Sequence, residues 1–339
     1  MRFFDENYFN KLKQITLDYI GRNYDLCYLK AMHEELRCRG ANTIIVGSSH
    51  AMNGLLAGEM SASDWGKTVN LSISSQDIWF DYQNAKKAVA ETATPIRNCI
   101  INFGYYMMYQ DLSRSGNLSY MLPCIYAHIF GCGEAMHHMN VTGSADLLNK
   151  MQYDRELFPD EIIRPLCEYW TTRAFMEQGE YYGYIKTREQ NSALGLKKVL
   201  WQTLDEYEKT KVASERADIH NAMKKYTASK EENDKLLQEI ILFLHRNGIR
   251  TFVVITPFTG FYNRFIDPSM KKEIETCLEE VPVPVEYLDM NDYPDCFSDG
   301  DFIDADHLNA EGAVHVTAFL NSYLRFIDHP EDFSPASPS

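Results

Sequence analysis

No stretch of this chain approaches the roughly eighteen uninterrupted apolar residues that a transmembrane helix needs, so the sequence offers no membrane span. It has no Lys/Arg-rich run either. With a formal net charge of −15, a nucleic-acid partner is not expected, because phosphates would be repelled over most of the surface. The opening MRFFDENYFNKLKQITLDYI lacks the basic-then-apolar order of a secretory leader, since Asp5, Glu6, Asn7 and Asn10 interrupt any apolar core. The eight cysteines (27, 38, 99, 124, 132, 167, 277 and 296) lack the close, regular spacing of a disulfide framework. Scattered thiols fit a reducing compartment, and the cytoplasm is the expected location, although a chain trimmed of a leader gives the same pattern. There is no internal repeat.

What is present is globular. Hydrophobic residues make up 45% and charged residues 24% of 339, enough for one large domain or two of ordinary size. Residues 5–38 carry apolar side chains at helical spacing (Phe9, Leu12, Ile15, Tyr19, then Leu29, Met32, Leu36), so 1–40 reads as N-terminal helices. Short apolar, β-branched runs follow at 43–46, 67–73, 99–103, 251–256 and 283–290. Helical patterns stand between or after them at 76–92, 268–280 and 310–327, the signature of an α/β domain with a parallel sheet. The expected fold is three-layer α/β/α, flavodoxin-like, with about five parallel strands over 41–330. Residues 105–213 break the alternation and are rich in Tyr and Trp, which predicts a mainly helical insertion. The charged stretch 214–247 reads as one long solvated scaffold helix, closed by a left-handed Gly248 cap. The tail 331–339 is Pro/Ser-rich and expected to be disordered.

In such sheets ligands gather at the carboxyl ends of the strands. The segment TIIVGSSHAMNGLL (43–56) puts Gly47, Ser48, Ser49 and His50 at one of those ends. Either serine can cap the helix that follows. A second segment, DGDFIDADHLNAEGA (299–313), holds Asp304 and His307 three residues apart on a turn before the last helix. At that spacing a carboxylate can hold the imidazole Nδ1–H and leave Nε2 as a base, which a serine nucleophile needs. Asp306 and Asp301 are competing acids, and the three-residue spacing favours Asp304. His50 points away from its neighbour in such a turn and reads as a helix-start or pocket-wall residue.

The pair GSSH (47–50) and DADHLN (304–309), in this order and at these places, resembles the SGNH, or GDSL-like, hydrolases. The resemblance spans about 41–104 and 245–327. It implies Ser49 as nucleophile, Asp304 as orienting acid and His307 as base, with an acyl-serine intermediate at an ester. Two blocks depart from the family pattern. Ser72 in VNLSISSQ (69–76) stands at the glycine position of the second block. GYYM (104–107) lacks the asparagine of the third, leaving the Ser49 N–H, Asn70, Ser72 and Asn102 as the expected oxyanion donors. A similar loss occurs in SGNH-like proteins that modify bacterial surface polymers, including those of teichoic acid D-alanylation. This branch implies a carbohydrate-linked acyl group, probed by a pocket that includes His50, Tyr105 and Tyr106; the tyrosines of 105–213 are otherwise core, or a sugar-stacking cleft. Water as acceptor makes an esterase, a sugar hydroxyl an O-acyltransferase. The alternative is a catalytically degenerate SGNH fold serving as a binding or assembly module in polysaccharide production. No cofactor is expected. The cluster His128, Cys132, His137 and His138 lacks the paired spacing of a zinc site, so no metal is expected. The sequence leaves the oligomeric state open.

Overall fold

The computed structural model describes residues 24–116, 118–119, 121–131 and 201–333. The chain divides into two compact units, Met1–Glu35 with Leu112–Glu180, and Leu36–Asp111 with Tyr181–Ser339. In the first, the described residues include a π-helical turn at Leu122–Tyr126 running into a short helix, Ala127–Phe130, with the Tyr126 and Phe130 rings stacked at 6.2 Å. Most of the expected 105–213 insertion (132–200) lies outside the described residues, as do 1–23 and 334–339.

The second unit holds one five-stranded, all-parallel sheet in the order β2-β1-β3-β4-β5. The strands are β1 Thr43–Val46, β2 Thr68–Asn70, β3 Asn98–Asn102, β4 Arg250–Ile255 and β5 Glu286–Asp289. Ile44, Ile45 and Val46 are wholly buried, as are Ile100, Ile101, Val253 and Val254, because helices cover both faces of a parallel sheet. The strand expected at 283–290 begins only at Glu286. Pro282 and Pro284 precede it, and a residue without an N–H cannot join the ladder. The α/β class with a parallel five-stranded sheet is thus the one the sequence pattern indicates.

Helices follow in chain order: α1 Tyr24–Arg39, α2 Ser49–Gly54, α3 Ala57–Ser61, α4 Ile78–Glu91, α5 Glu206–Asn221, α6 Thr227–Arg246, α7 Ser269–Glu279 and α8 Ala310–Asp328. α6 packs on α4, α7 and β4 and buries the stripe Leu236, Leu237, Ile240, Ile241 and Leu244, while α8 packs on α2 and α3. The long helix expected over 214–247 is two helices, broken at a 3-10 turn, Ala222–Lys225. Tertiary contacts fix the break. Asn221 donates to the Phe265 carbonyl and accepts from the Asp267 N–H, both at 2.8 Å, and Lys224 Nζ reaches Asp267 and Ser269 at 2.6 Å. α6 ends as expected: Gly248 has φ +70°, and the Ile249 and Gly248 N–H groups return to Leu244 and His245 in a Schellman arrangement. After α8, Pro330–Phe333 forms a single 3-10 turn.

Strand order reverses between β1 and β3, which opens a crevice at their carboxyl ends. Gly47–His50 follows β1 and Phe103–Tyr106 follows β3, so both segments reach that crevice. No helix among the described residues is long and apolar enough to cross a membrane.

Candidate active site

The turn after β1 is shaped by Gly47. Its φ is +153°, and a Cβ there would sit 2.8 Å from the Asn102 carbonyl oxygen and 2.9 Å from the Asn102 Cβ, so only glycine lets β1 leave the sheet this close to β3. The Gly47 carbonyl accepts from Gln76 Nε2 at 3.1 Å. Gln76 in turn donates to Asp81 at 2.7 Å and accepts from Asn84 at 3.0 Å. All three side chains are buried, and burial pushes the Asp81 carboxyl well above the usual carboxylate range. A rigid polar network therefore holds the turn from below.

Ser48 is extended and occupies the N-cap of α2, but its side chain makes no capping bond. Its Oγ lies 3.4 Å from His50 Nδ1 instead, so the capping role open to it in sequence is not the one it takes. Ser49, the first residue of α2, is partly exposed. Its Oγ lies 2.9 Å from His307 Nε2.

The opposing loop explains why Asp304 and His307 face the same way. Phe302 and Leu308 pair as an antiparallel bridge, and the Ile303 N–H donates to the His307 carbonyl at 2.9 Å, closing a tight loop between them. Within it, Asp304 Oδ1 accepts the N–H groups of Asp306 (3.0 Å) and His307 (2.7 Å). That turn brings the imidazole Nδ1 to 3.1 Å from both Asp304 oxygens. In the neutral ring these partners set the tautomer: Nδ1 carries the proton toward the carboxylate, and Nε2 accepts from the Ser49 hydroxyl. The structure therefore brings Ser49, His307 and Asp304 into one contact chain.

A second acid meets the same ring. Asp306 Oδ1 lies 3.4 Å from His307 Nδ1, and its carboxylate is gripped by Arg216 of α5, with Nε at 3.0 and 3.1 Å from the two oxygens and Nη2 at 3.0 Å. Asp306 is buried, whereas Asp304 is half-exposed. Asp301, the other competing acid, is turned away and bonds His315 at 2.6 Å. His50 stacks on His307 with ring centroids 4.5 Å apart and planes within 6°, and its Nε2 lies 3.4 Å from Asp306 Oδ2. At that separation the contact is electrostatic rather than a formed hydrogen bond.

Charge in this cluster is divided unevenly. Burial is the largest influence on His307 and lowers its pKa, but Asp304 and Asp306 together outweigh it and push the ring up to about 10. Burial also lowers His50, with the His307 charge adding to the effect, so His50 stays neutral. His220, on α5, is brought down to about 3 by burial and by Arg216, and its Nδ1 pairs with the Tyr262 hydroxyl at 2.5 Å. Burial opposes ionisation of Asp306, yet Arg216 and His307 hold it well below the usual carboxylate range. His307 is thus the one histidine of the three that carries charge readily.

The remaining expected residues divide. Tyr106 is buried, stacks on His220 at 3.8 Å and lies edge-on to His50 at 6.2 Å, so it walls the cluster. Tyr105 packs edge-on against Phe258, and its hydroxyl is taken by Asp289 at 2.6 Å. Two oxyanion expectations need correction. Asn70 Nδ2 donates to the carbonyls of Ala51 (3.0 Å) and Leu55 (3.2 Å), which engages both amide hydrogens at the end of α2. The Ser72 N–H is likewise held, by Asn70 Oδ1 at 3.0 Å. Ser72 Oγ is buried without a partner. Asn102 Nδ2 donates to the Val254 carbonyl at 3.1 Å, and its Oδ1 is unpartnered. The Ser49 N–H sits in the first turn of α2, where no intrahelical acceptor exists.

Two groups of this cluster escape a reading of the sequence, Arg216 and His220; Asp306, there a competing acid, meets the ring beside Asp304. The helix expected to be solvated scaffold delivers Arg216 and His220. Ala213, Ala217 and His220 are buried on α5, and Arg216 shares their face at helical spacing. A stripe of small residues interrupted by Arg and His was the available signal. Side-chain donor atoms of His50, Asp306 and His307 lie within 4.8 Å of one another, a spacing that a metal ion can bridge. The cation that meets Asp306 here is the Arg216 guanidinium, which engages both carboxylate oxygens. Of the His128, Cys132, His137 and His138 cluster, all but His128 lie outside the described residues.

No family model matches the sequence, and no curated protein matches it. Among solved structures, one from Streptococcus pneumonia, described as a "putative platelet activating factor", is similar to this chain at 11% identity and a TM-score of 0.43, over 92% of this chain and 97% of that one.

Proposed function

We propose that the protein is a serine esterase or O-acyltransferase of SGNH type, acting on an ester, in the polymer-modifying branch an O-acetyl ester of a carbohydrate. The observation that carries the reading is the contact chain from Ser49 Oγ through His307 (2.9 Å) to Asp304 (3.1 Å) at the carboxyl end of β1. A serine hydroxyl is a poor nucleophile until a base takes its proton, and this chain supplies the base and its orienting acid. In the reaction, the Ser49 O–H bond breaks and its proton moves to His307 Nε2 as the Oγ–carbonyl bond forms, with the carbonyl π pair moving onto oxygen. Collapse of that oxyanion expels the alcohol, which takes the proton from His307 and leaves an acyl-serine. Water or a sugar hydroxyl then repeats the steps in reverse. The Ser49 N–H, Ser72 Oγ and the second Asn102 amide hydrogen are the expected groups with donor capacity left for the oxyanion, each worth about 3 kcal/mol to the transition state where geometry is right.

One observation favours a second reading, a binding or assembly module without turnover: the Asn70 amide and the Ser72 N–H are both engaged internally. The p-nitrophenyl acetate assay separates the two. As an acyl-serine enzyme the protein releases nitrophenolate with an initial burst. Its kcat/KM rises with pH over about 6–9, because the ring at about 10 becomes a free base only toward alkaline pH. A rate equal to buffer at every pH would favour the binding module.

A further inference from the structure

Four observations single out Asp306. It touches the same imidazole nitrogen as Asp304, at 3.4 Å against 3.1 Å. It is almost fully buried, where a charge acts through less water than at the half-exposed Asp304. It is kept ionised in that position by a bidentate guanidinium, the geometry that holds a buried carboxylate best. It is also faced by His50, whose ring lies flat against His307. None of these contacts is needed to close the loop, which the Phe302–Leu308 bridge and the Asp304 turn already do.

We propose that Asp306, clamped by Arg216 and faced by His50, is a positioning residue: a second carboxylate that faces the His307 Nδ1–H beside Asp304 and, through its charge, stabilises the imidazolium formed as Ser49 attacks. The inference rests on the acyl-transfer reading for its use, but the coupling of Asp306 to the ring is measurable without turnover. When the ring takes the Ser49 proton, the group of Asp304, Asp306, Arg216 and His307 passes from one net negative charge to none. A buried cluster favours that change. The other groups packed around it add little charge, because His50 and His220 are neutral and burial keeps the Tyr106 and Tyr262 phenols protonated. His50 forms the wall of this pair, excluding water from one face of the ring.

The test is a titration of the His307 ring by NMR of imidazole-labelled protein, in Ser49→Ala background to keep substrate chemistry out. Asp306→Asn lowers the ring pKa by about one to three units, the range for removing an opposite charge in contact, and Asp304→Asn produces a fall of similar size. Because Asp306→Asn leaves the half-buried Arg216 guanidinium without its partner, the double variant Arg216→Gln/Asp306→Asn is titrated beside it. Its fall is smaller but still present, since Asp306 touches the ring and Arg216 reaches it through Asp306. A ring pKa unchanged within about 0.3 unit in both variants would overturn the proposal and leave Asp304 as sole anchor. A clear fall, together with no ester turnover by the protein that retains Ser49, would keep the Asp306 anchor and reject the acyl-transfer reading.

Discussion

Ser49→Ala lowers kcat/KM for p-nitrophenyl acetate by at least about 10³-fold, and His307→Asn does the same. Both changes remove one end of a single proton-transfer unit, so their effects do not add. The double variant is no slower than either single one, because once the hydroxyl is gone the base has nothing to activate. Asp304→Asn costs less, since Asp306 still faces Nδ1 at 3.4 Å. Steady-state kinetics on the four proteins, with unfolding midpoints to show that each is folded, measure this directly. Additive losses, or a Ser49→Ala variant at the wild-type rate, would mean that Ser49 and His307 do not work as one unit.

Gly47→Ala destabilises the fold by roughly 3 kcal/mol and removes activity in the protein that remains folded. The new Cβ meets backbone, the Asn102 carbonyl oxygen at 2.8 Å, so no side chain can swing aside to admit it. Either β1 and β3 separate or the turn shifts, and a shift moves Ser49 off the 2.9 Å contact with His307. Small misplacements of this kind reduce rates strongly. Gly248→Ala is the control. Gly248 also has positive φ, +70°, but a Cβ there meets nothing within 4 Å, so its replacement costs only about 1 kcal/mol of left-handed strain and leaves the site untouched. Urea unfolding of both variants separates the two; equal losses would contradict the close approach at Gly47.

The sheet is readable from the sequence because it is parallel and buried. Runs such as TIIV and RTFVVI need no alternation to be recognised, only length and β-branching, and both form strands within a residue of the expected bounds. Local spacing likewise brings Asp304 and His307 to one side of a turn, since three residues fix that geometry. What local spacing does not carry is partnership between distant segments. Arg216 meets Asp306 across ninety positions of sequence. Nothing near either residue marks the pairing. Asn70 misleads for a related reason: an asparagine at the end of a strand looks available to a ligand, but α2 ends beside it and its Ala51 and Leu55 carbonyls take the amide. The break in the helix expected over 214–247 also comes from distant contacts, those of Asn221 and Lys224 with the segment around Asp267.

The central claim is that Ser49 is an activated nucleophile, and covalent labelling tests it without knowledge of the natural ester. Folded protein is incubated with a fluorophosphonate probe at mildly alkaline pH and analysed by intact mass and peptide mapping. The account predicts one adduct per chain, on the peptide carrying Ser49, lost in His307→Asn although the serine is still present. Absence of any adduct on Ser49 in folded wild-type protein, or undiminished labelling in His307→Asn, would contradict it.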